Sequence, residues 1–249
     1  MALKYDKIDQ VIWGLDPYSF IQDIETNRYA LPEYFYDDNP FNEIRYILNK
    51  GAFTRSIGVI KRAIAGEPNT DRDMAYNWMN RFGDNFVVEK VLKRHAKIRP
   101  EKPAKPQPDD FFMENAKANM AHNILPIIRD NPDIEFEIFF PPYSILYWDT
   151  MVSEGTLEAM IALERYIIET FLTYDNVKMH YMQNNAEIIC NIENYMDYAH
   201  YHPDINVMII EAMGKETYLL TEENYQDMLD EMYQLAISYD YDALFIGIE

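Results

Sequence analysis

An aspartate and a histidine near the C-terminus are the residues with the clearest potential for chemistry. Asp197 and His200 are separated by two residues and lie directly before an apolar stretch that predicts a helix. At this spacing the Asp197 carboxylate can turn back and accept a hydrogen bond from one ring nitrogen of His200. That bond would fix the tautomer, so that the other nitrogen could take a proton from a serine. The pair therefore predicts an orienting acid and a general base; the alternative is a helix-capping aspartate beside a surface histidine.

A metal site is a second alternative for the same segment. His200 and His202 would lie on one side of an extended segment, and Asp197 could add an oxygen ligand. The sequence shows no second cluster of His, Cys or acidic residues, so we expect no metal and no cofactor. His202 is better explained as a residue at the N-terminus of a helix that begins at Pro203.

A nucleophile for this pair is not evident among the serines, which are Ser19, Ser56, Ser144, Ser153 and Ser238. Ser144 is the best placed, because it follows the end of a predicted strand. However, Pro141 and Pro142 before it offer no backbone amide for an oxyanion hole. We therefore interpret Tyr143 and Ser144 as part of a pocket wall.

Two aromatic segments allow stacking on sugar rings, although tyrosine and tryptophan also fill ordinary cores. They are Tyr34–Tyr36 and Tyr143–Trp148. The lone cysteine, Cys190, lies among apolar residues and is predicted to be an inert buried thiol.

Strands and helices that can position these residues alternate along the chain. The predicted strands are Lys7–Asp16, Ile134–Phe140 and Val177–Met182, and the predicted helices are Asp110–Asp130, Thr156–Leu172, Pro203–Met213 and Thr221–Ile237. This alternation predicts an α/β fold with a parallel sheet. An open sheet of this class usually has about five strands, so two strands would be absent or unrecognised.

Length and composition predict one domain, 1–249, in which residues 29–108 form an inserted helical and aromatic cap with a linker. Within it, the basic and proline-rich stretch Lys90–Lys105 is interpreted as a solvated linker and not as a nucleic-acid patch.

The charge balance restricts the partners of the chain. With 22 basic and 42 acidic residues, the net charge is −20. Binding of phosphate groups needs clustered Lys and Arg, so we expect no nucleic-acid partner and no anionic membrane surface. No apolar run approaches the roughly 18–20 residues that span a bilayer, so we expect no membrane segment in this chain.

Several stretches carry a resemblance when they are taken together. The stretches are Val11–Phe20, Leu31–Asn49, and the pair Phe139–Ser144 with Asp197–Asn206. Together they resemble a group of bacterial SGNH-like (GDSL-type) hydrolase relatives of the cell envelope. That group is distantly similar to D-alanyl-lipoteichoic acid esterase-like and alginate O-acetyltransferase-like proteins. The resemblance implies a flavodoxin-like, three-layer α/β/α domain with active-site loops at the carboxyl ends of its strands.

The resemblance also implies roles for individual residues. Asp197 and His200 match the Asp-x-x-His pair of the family. Gly14 and Asp16 match a loop near the oxyanion hole, where the family usually has an asparagine, so that Asp16 is a departure. Pro141–Ser144 would border the pocket.

The main departure concerns the nucleophile. Relatives carry a membrane helix and a Gly-x-Ser segment before the equivalent of Met1, which implies an N-terminally truncated chain with membrane-anchored, extracytoplasmic full-length relatives. The expected function is a hydrolase or O-acyltransferase for acyl esters of a cell-wall glycan or teichoic polymer, inactive as it stands because the serine segment is missing. The alternative is a non-catalytic envelope scaffold or binding domain. A truncated sheet would also expose an edge, so we expect self-association there.

Overall fold

The computed structural model describes residues 8–26, 44–66, 83–100 and 102–248, together with positions 32, 34, 37, 39, 41 and 42. The chain divides into a smaller unit, 1–6 with 26–81, and a larger unit, 7–25 with 82–249. The predicted insertion 29–108 therefore spans most of the smaller unit and residues 82–108 of the larger one. Much of Leu31–Asn49 and most of Tyr34–Tyr36 lie outside the described residues.

The larger unit contains a parallel sheet with the strand order β1–β2–β3. The strands are β1 (Gln10–Gly14), β2 (Glu135–Phe140) and β3 (Val177–Tyr181). Gly14 is paired with Phe139, and Phe139 with His180. Five of the six side chains of the central strand are buried, so the sheet is covered on both faces. The predicted α/β fold with a parallel sheet is confirmed, and the strand-rich core follows from the apolar run of β2.

The four predicted helices are present in the larger unit, one of them divided, together with further helices that the sequence analysis did not predict. The smaller unit contains α1 (Ile44–Ile47) and α2 (Lys50–Ile64). The larger unit contains α3 (Val88–Ala96), α4 (Met113–Asn119), α5 (Leu125–Arg129), α6 (Ile145–Ser153), α7 (Leu157–Phe171), α8 (Ala186–Ile189), α9 (Pro203–Gly214), α10 (Tyr225–Ser238) and α11 (Tyr241–Leu244). Short 3-10 turns occur at Pro17–Ile21, Gly83–Asn85 and Ile192–Asn194.

Two helix starts show how capping residues set the boundaries. Helix α9 begins at Pro203, and the His202 side chain accepts a hydrogen bond from the Asp204 N–H, which confirms the role predicted for His202. Helix α10 begins four residues later than the predicted Thr221. The Thr221 hydroxyl oxygen accepts the Glu223 N–H instead, so it stabilises a turn that precedes the helix.

The predicted helix Asp110–Asp130 is divided by a π-helical turn, Met120–Ile124, that separates α4 from α5. Pro126 lies in the first turn of α5. Proline has no N–H and its ring crowds the carbonyl four residues earlier, so regular α-helical bonding cannot continue through it. The predicted single helix is therefore interrupted just before Pro126.

The interpretation of Lys90–Lys105 as a solvated linker is wrong for its first half. Residues 90–96 belong to α3, in which Val91, Leu92 and His95 are buried. These positions follow a helical period, but the basic residues between them obscured the pattern in the sequence. The part of this stretch that follows α3 is bound to the end of α6, because the Ala104 N–H donates to the Ser153 carbonyl (2.7 Å).

The sheet contains a buried ion pair that positions β2 against β3. His180 Nε2 lies 2.6 Å from Glu137 Oε2, and both side chains are buried on the same face of the sheet. The ring's other nitrogen faces the Thr217 carbonyl at 3.3 Å. Across the part of the chain that the structure describes, no helix is long and apolar enough to cross a membrane.

Candidate functional site

Asp197 and His200 are brought together as their spacing predicts. His200 Nδ1 lies 2.8 Å from Asp197 Oδ2 and 2.9 Å from Oδ1. Asp197 Oδ1 also accepts the backbone N–H groups of Ala199 (2.9 Å) and His200 (2.8 Å). These bonds hold the carboxylate in one orientation, so that Nδ1–H can donate to it and Nε2 becomes the proton-accepting nitrogen of the ring.

The loop that carries this pair is a short hairpin with several anchors. Tyr195 and Tyr201 form an antiparallel bridge, and the Met196 N–H donates to the His200 carbonyl at 3.0 Å. Arg94 Nη1 on α3 donates to the Met196 carbonyl at 3.0 Å. The buried Tyr195 hydroxyl donates to the Pro142 carbonyl at 2.7 Å. The dyad, by which we mean Asp197 with His200, is therefore positioned by backbone bonds on both sides.

These anchors place the dyad loop at the carboxyl edge of the sheet. Pro142 and Ser144 belong to the segment that follows β2, and the Ser144 N–H donates to the Tyr198 carbonyl at 3.0 Å. Asp16 follows the end of β1 by two residues. In open α/β sheets this edge is where ligands bind.

Ser144 is fully buried, and its hydroxyl donates to the Tyr198 carbonyl at 2.9 Å. It precedes α6 at the N-cap position without a side-chain capping bond. Three other serine hydroxyls also donate to main-chain carbonyls; they belong to Ser19, Ser153 and Ser238. Ser144 thus fastens the dyad loop, and its hydroxyl proton is committed to a carbonyl.

A cavity of about 300 Å³ lies beside the dyad loop. Its lining residues are Asp16, Tyr18, Ile98, Tyr143, Tyr147, Thr150, Met151, Glu154, Tyr198 and Ala199. Two of them, Tyr198 and Ala199, lie between Asp197 and His200 in sequence. Of the residues predicted to form the oxyanion hole or pocket, Asp16 and Tyr143 line the cavity, whereas Gly14 and Ser144 do not.

Gly14 has a packing role at the end of β1. A Cβ at this position would lie 2.9 Å from Cζ of the Phe139 ring. Real Cβ atoms do not approach that closely, so a side chain at Gly14 would push the tip of the Phe139 ring aside. Gly14 thus allows this ring to pack closely against the end of β1.

Asp16 supplies a partly buried acceptor to the cavity. Its Oδ1 accepts the Tyr18 N–H at 2.9 Å, and its carboxylate also accepts the Tyr143 hydroxyl. Desolvation raises the pKa of Asp16, and the hydrogen bonds from Tyr18 and Tyr143 oppose that rise. An oxyanion hole requires donors, so Asp16 contributes a different chemistry from the asparagine that the resemblance implies.

The tyrosine rings form one wall of the cavity. The Tyr147 ring lies 4.9 Å from that of Tyr143 and 6.4 Å from that of Tyr198, centroid to centroid. Burial, and then the Asp16 charge, raise the pKa of the Tyr143 hydroxyl, which therefore keeps its proton. The ring faces and the hydroxyl groups together give the cavity an apolar surface with acceptors at defined points.

Behind Tyr147 lies a buried acid to which the sequence pattern gave no role. Glu164 on α7 is fully buried, and Tyr181 donates its hydroxyl to Oε2 at 2.9 Å. Burial raises the pKa of Glu164 to about 8, although bonds from Tyr181 and Gln183 oppose the rise. The sequence signal was a glutamate at a core position of the apolar stripe of this helix.

A second buried cluster joins three helices next to the cavity. Asp149 on α6 is 1% exposed and accepts His95 Nε2 at 2.8 Å and Arg99 Nε at 3.0 Å. Arg99 also binds Asp242 at 2.7 Å and lies over the Phe245 ring. Sequence reasoning missed this cluster because its members are far apart in the chain and share no local pattern.

The described residues do not include a group of three or more His, Cys, Asp or Glu side chains arranged to hold a metal ion. In the segment where a metal was considered, Nδ1 of His202 accepts the Asp204 N–H at 3.2 Å. Comparison of the chain with protein-family models, with curated proteins and with solved structures gives no match.

Proposed function

We propose that this chain carries the base and the orienting acid of an SGNH-type ester hydrolase or O-acyltransferase site. The observation that supports it is the hydrogen bonding of Asp197 to the His200 ring and to two backbone amides, at the carboxyl edge of a parallel sheet and beside a cavity. The substrate class is an acyl ester of a cell-envelope glycan or teichoic polymer.

In this proposal His200 Nε2 takes the proton of an attacking hydroxyl while Asp197 stabilises the imidazolium that forms. The hydroxyl oxygen attacks the ester carbonyl, and His200 then returns the proton to the leaving alcohol. We expect the attacking hydroxyl to come from elsewhere than Ser19, Ser144, Ser153 and Ser238, because these four donate theirs to main-chain carbonyls. With an activated ester, a water molecule attacks in place of that hydroxyl, and the reaction is slow.

The test is hydrolysis of p-nitrophenyl acetate by the chain, followed by the absorbance of the released p-nitrophenolate. We expect slow turnover, reduced about 100-fold in His200→Ala, because a positioned general base contributes roughly 10²–10⁴-fold to the rate. Asp197→Asn should reduce it as well, since the ring loses its orienting acceptor. The matched control is His122→Ala, which removes a histidine of the π-helical turn that is distant in sequence from the dyad.

If p-nitrophenyl acetate is hydrolysed at the same rate by His200→Ala, His122→Ala and the parent chain, the dyad does not take part in the reaction. A fluorophosphonate probe adds a second readout. We expect no stoichiometric labelling of the serines. Labelling that is lost in Ser144→Ala would show that the Ser144 hydroxyl leaves the Tyr198 carbonyl and acts as a nucleophile.

A second candidate function is a non-catalytic envelope scaffold or binding domain. It is favoured by the Ser144 hydroxyl, which donates its hydrogen bond to the Tyr198 carbonyl and not to a general base. This candidate predicts binding of an envelope polymer without release of acyl groups. Measuring polymer binding and acyl release on the same sample separates the two.

We also propose self-association through the outer edge of β1. Among the described strands β1 pairs with β2 alone, and Ile12 of β1 is 48% exposed. The opposite edge of the sheet is covered, because the Tyr181 N–H donates to Tyr218 and the Leu220 N–H to Met179. An edge strand with open hydrogen-bonding groups is a template for pairing. Sedimentation should show dimers or larger species at micromolar concentration, and a monodisperse monomer there would contradict the proposal.

A further inference from the structure

The cavity beside the dyad has an uneven chemical lining. Asp16 supplies a partly buried carboxylate, and Glu154 supplies a second, exposed one. Four tyrosines, Tyr18, Tyr143, Tyr147 and Tyr198, also line it, although the Tyr147 hydroxyl donates to the Met160 sulfur in the core. None of the described lining residues is basic. The site therefore presents negative charge and electron-rich rings without a cation of its own.

This combination selects for a particular ligand chemistry. An alkylammonium group is attracted to the faces of tyrosine rings by the ring quadrupole, and most strongly where water is excluded. A partly buried carboxylate gains from a counter-ion, because a charge removed from water is costly unless it is paired. The Tyr18 N–H already donates to Asp16 Oδ1 at 2.9 Å, so the carboxylate is oriented before any ligand arrives.

We propose that the cavity formed by Asp16 and its neighbouring tyrosines binds an alkylammonium cation, with the carboxylate as counter-ion and the Tyr143, Tyr147 and Tyr198 rings as its wall. The net charge of −20 favours the approach of such a cation. A neutral sugar would use the same rings and could donate its hydroxyls to the carboxylates, but it carries no charge that would neutralise them. Cation binding does not depend on catalysis by the dyad.

The experiment is calorimetric titration of the chain with choline and with 3,3-dimethylbutan-1-ol, a neutral molecule of the same shape. We expect choline to bind at least ten times more tightly. Asp16→Asn should lower the choline affinity about tenfold and leave the affinity for the alcohol unchanged. Asp175→Asn is the matched control, because Asp175 is exposed, carries the same charge and precedes β3 at the opposite edge of the sheet.

A second variant protects the test against misfolding of Asp16→Asn. Tyr198→Leu removes a partly exposed ring but keeps the main-chain carbonyl that Ser144 binds, and it should also lower the affinity for choline. Equal binding of choline and the alcohol, or an unchanged choline affinity in both variants, would overturn the proposal. Tighter binding of a neutral hexose than of choline would overturn it as well. None of these results bears on ester turnover, so the two proposals fail independently.

Discussion

Replacing Glu164 with glutamine is expected to stabilise the folded chain by on the order of 4 kcal/mol at pH 8, and by almost nothing at pH 4.5. The reason is the pKa of Glu164, which burial raises from its usual value of 4.5 to about 8. A tenfold difference in proton affinity between the folded and unfolded chain corresponds to about 1.4 kcal/mol. The new glutamine side chain would keep an acceptor for the Tyr181 hydroxyl, and its amide could donate to Gln183 Oε1, a buried oxygen without a partner in the structure.

The sign follows from proton binding. Between pH 4.5 and about 8 the unfolded chain has released the Glu164 proton and the folded chain has kept it. The folded state therefore binds more protons, and the contribution of this group to stability falls as the pH rises through that window. Below pH 4.5 Glu164 is protonated in both the folded and the unfolded chain, so its charge does not lower the stability of the folded chain.

Urea unfolding at pH 5, 6, 7 and 8 measures this effect as the difference between the variant and the parent chain. That difference should grow with pH. Glu222→Gln is the matched control, since this glutamate is exposed and its substitution should not change the pH dependence. A constant difference between Glu164→Gln and the parent from pH 5 to 8 would mean that Glu164 is already ionised in the folded state.

Asp149→Ala is expected to destabilise the chain by about 3–5 kcal/mol, because it leaves buried polar partners without their acceptor. His95 Nε2 and Arg99 Nε both bind this carboxylate, and Asp149 and His95 are 1% and 4% exposed. The three residues tie α3 to α6, so the loss should appear as a lower urea midpoint.

Asp242→Ala provides the comparison for this prediction. Asp242 binds the other end of Arg99 at 2.7 Å, but its side chain is exposed, so the pair is worth less than about 1 kcal/mol. The two substitutions remove an acceptor from the same guanidinium group. Equal losses of stability would show that burial of Asp149 does not determine the strength of the cluster.

Much of the fold could be predicted from the sequence, because its signals are local. The apolar run of β2 and the stripe of α7 each carry the period of their element. Pro126 and Pro203 mark helix boundaries through the missing N–H and the fixed φ of proline. The contact between Asp197 and His200 was predictable for the same reason, since three positions along the chain bring the two side chains within reach.

The parts that sequence reasoning missed depend on contacts between distant segments. Asp149 meets His95 and Arg99 from another helix, and no spacing rule links them. Glu164 was visible as an acid among apolar residues, but its partner Tyr181 lies on a different element. The cavity was foreseen only through Tyr143 and Asp16, because the closeness of Tyr198 to the end of β2 depends on the folded loop.

The paired bonds from Ser144 to the Tyr198 carbonyl have a consequence for how a ligand would enter. Ser144, which follows β2, holds the dyad loop because it donates both its N–H (3.0 Å) and its hydroxyl (2.9 Å) to the Tyr198 carbonyl. Such a loop cannot open as a lid without breaking both bonds and the Tyr195–Pro142 bond with them. The wall of the cavity that this loop contributes is thus preformed, so under our proposal its selectivity would be set by shape and charge before a ligand binds.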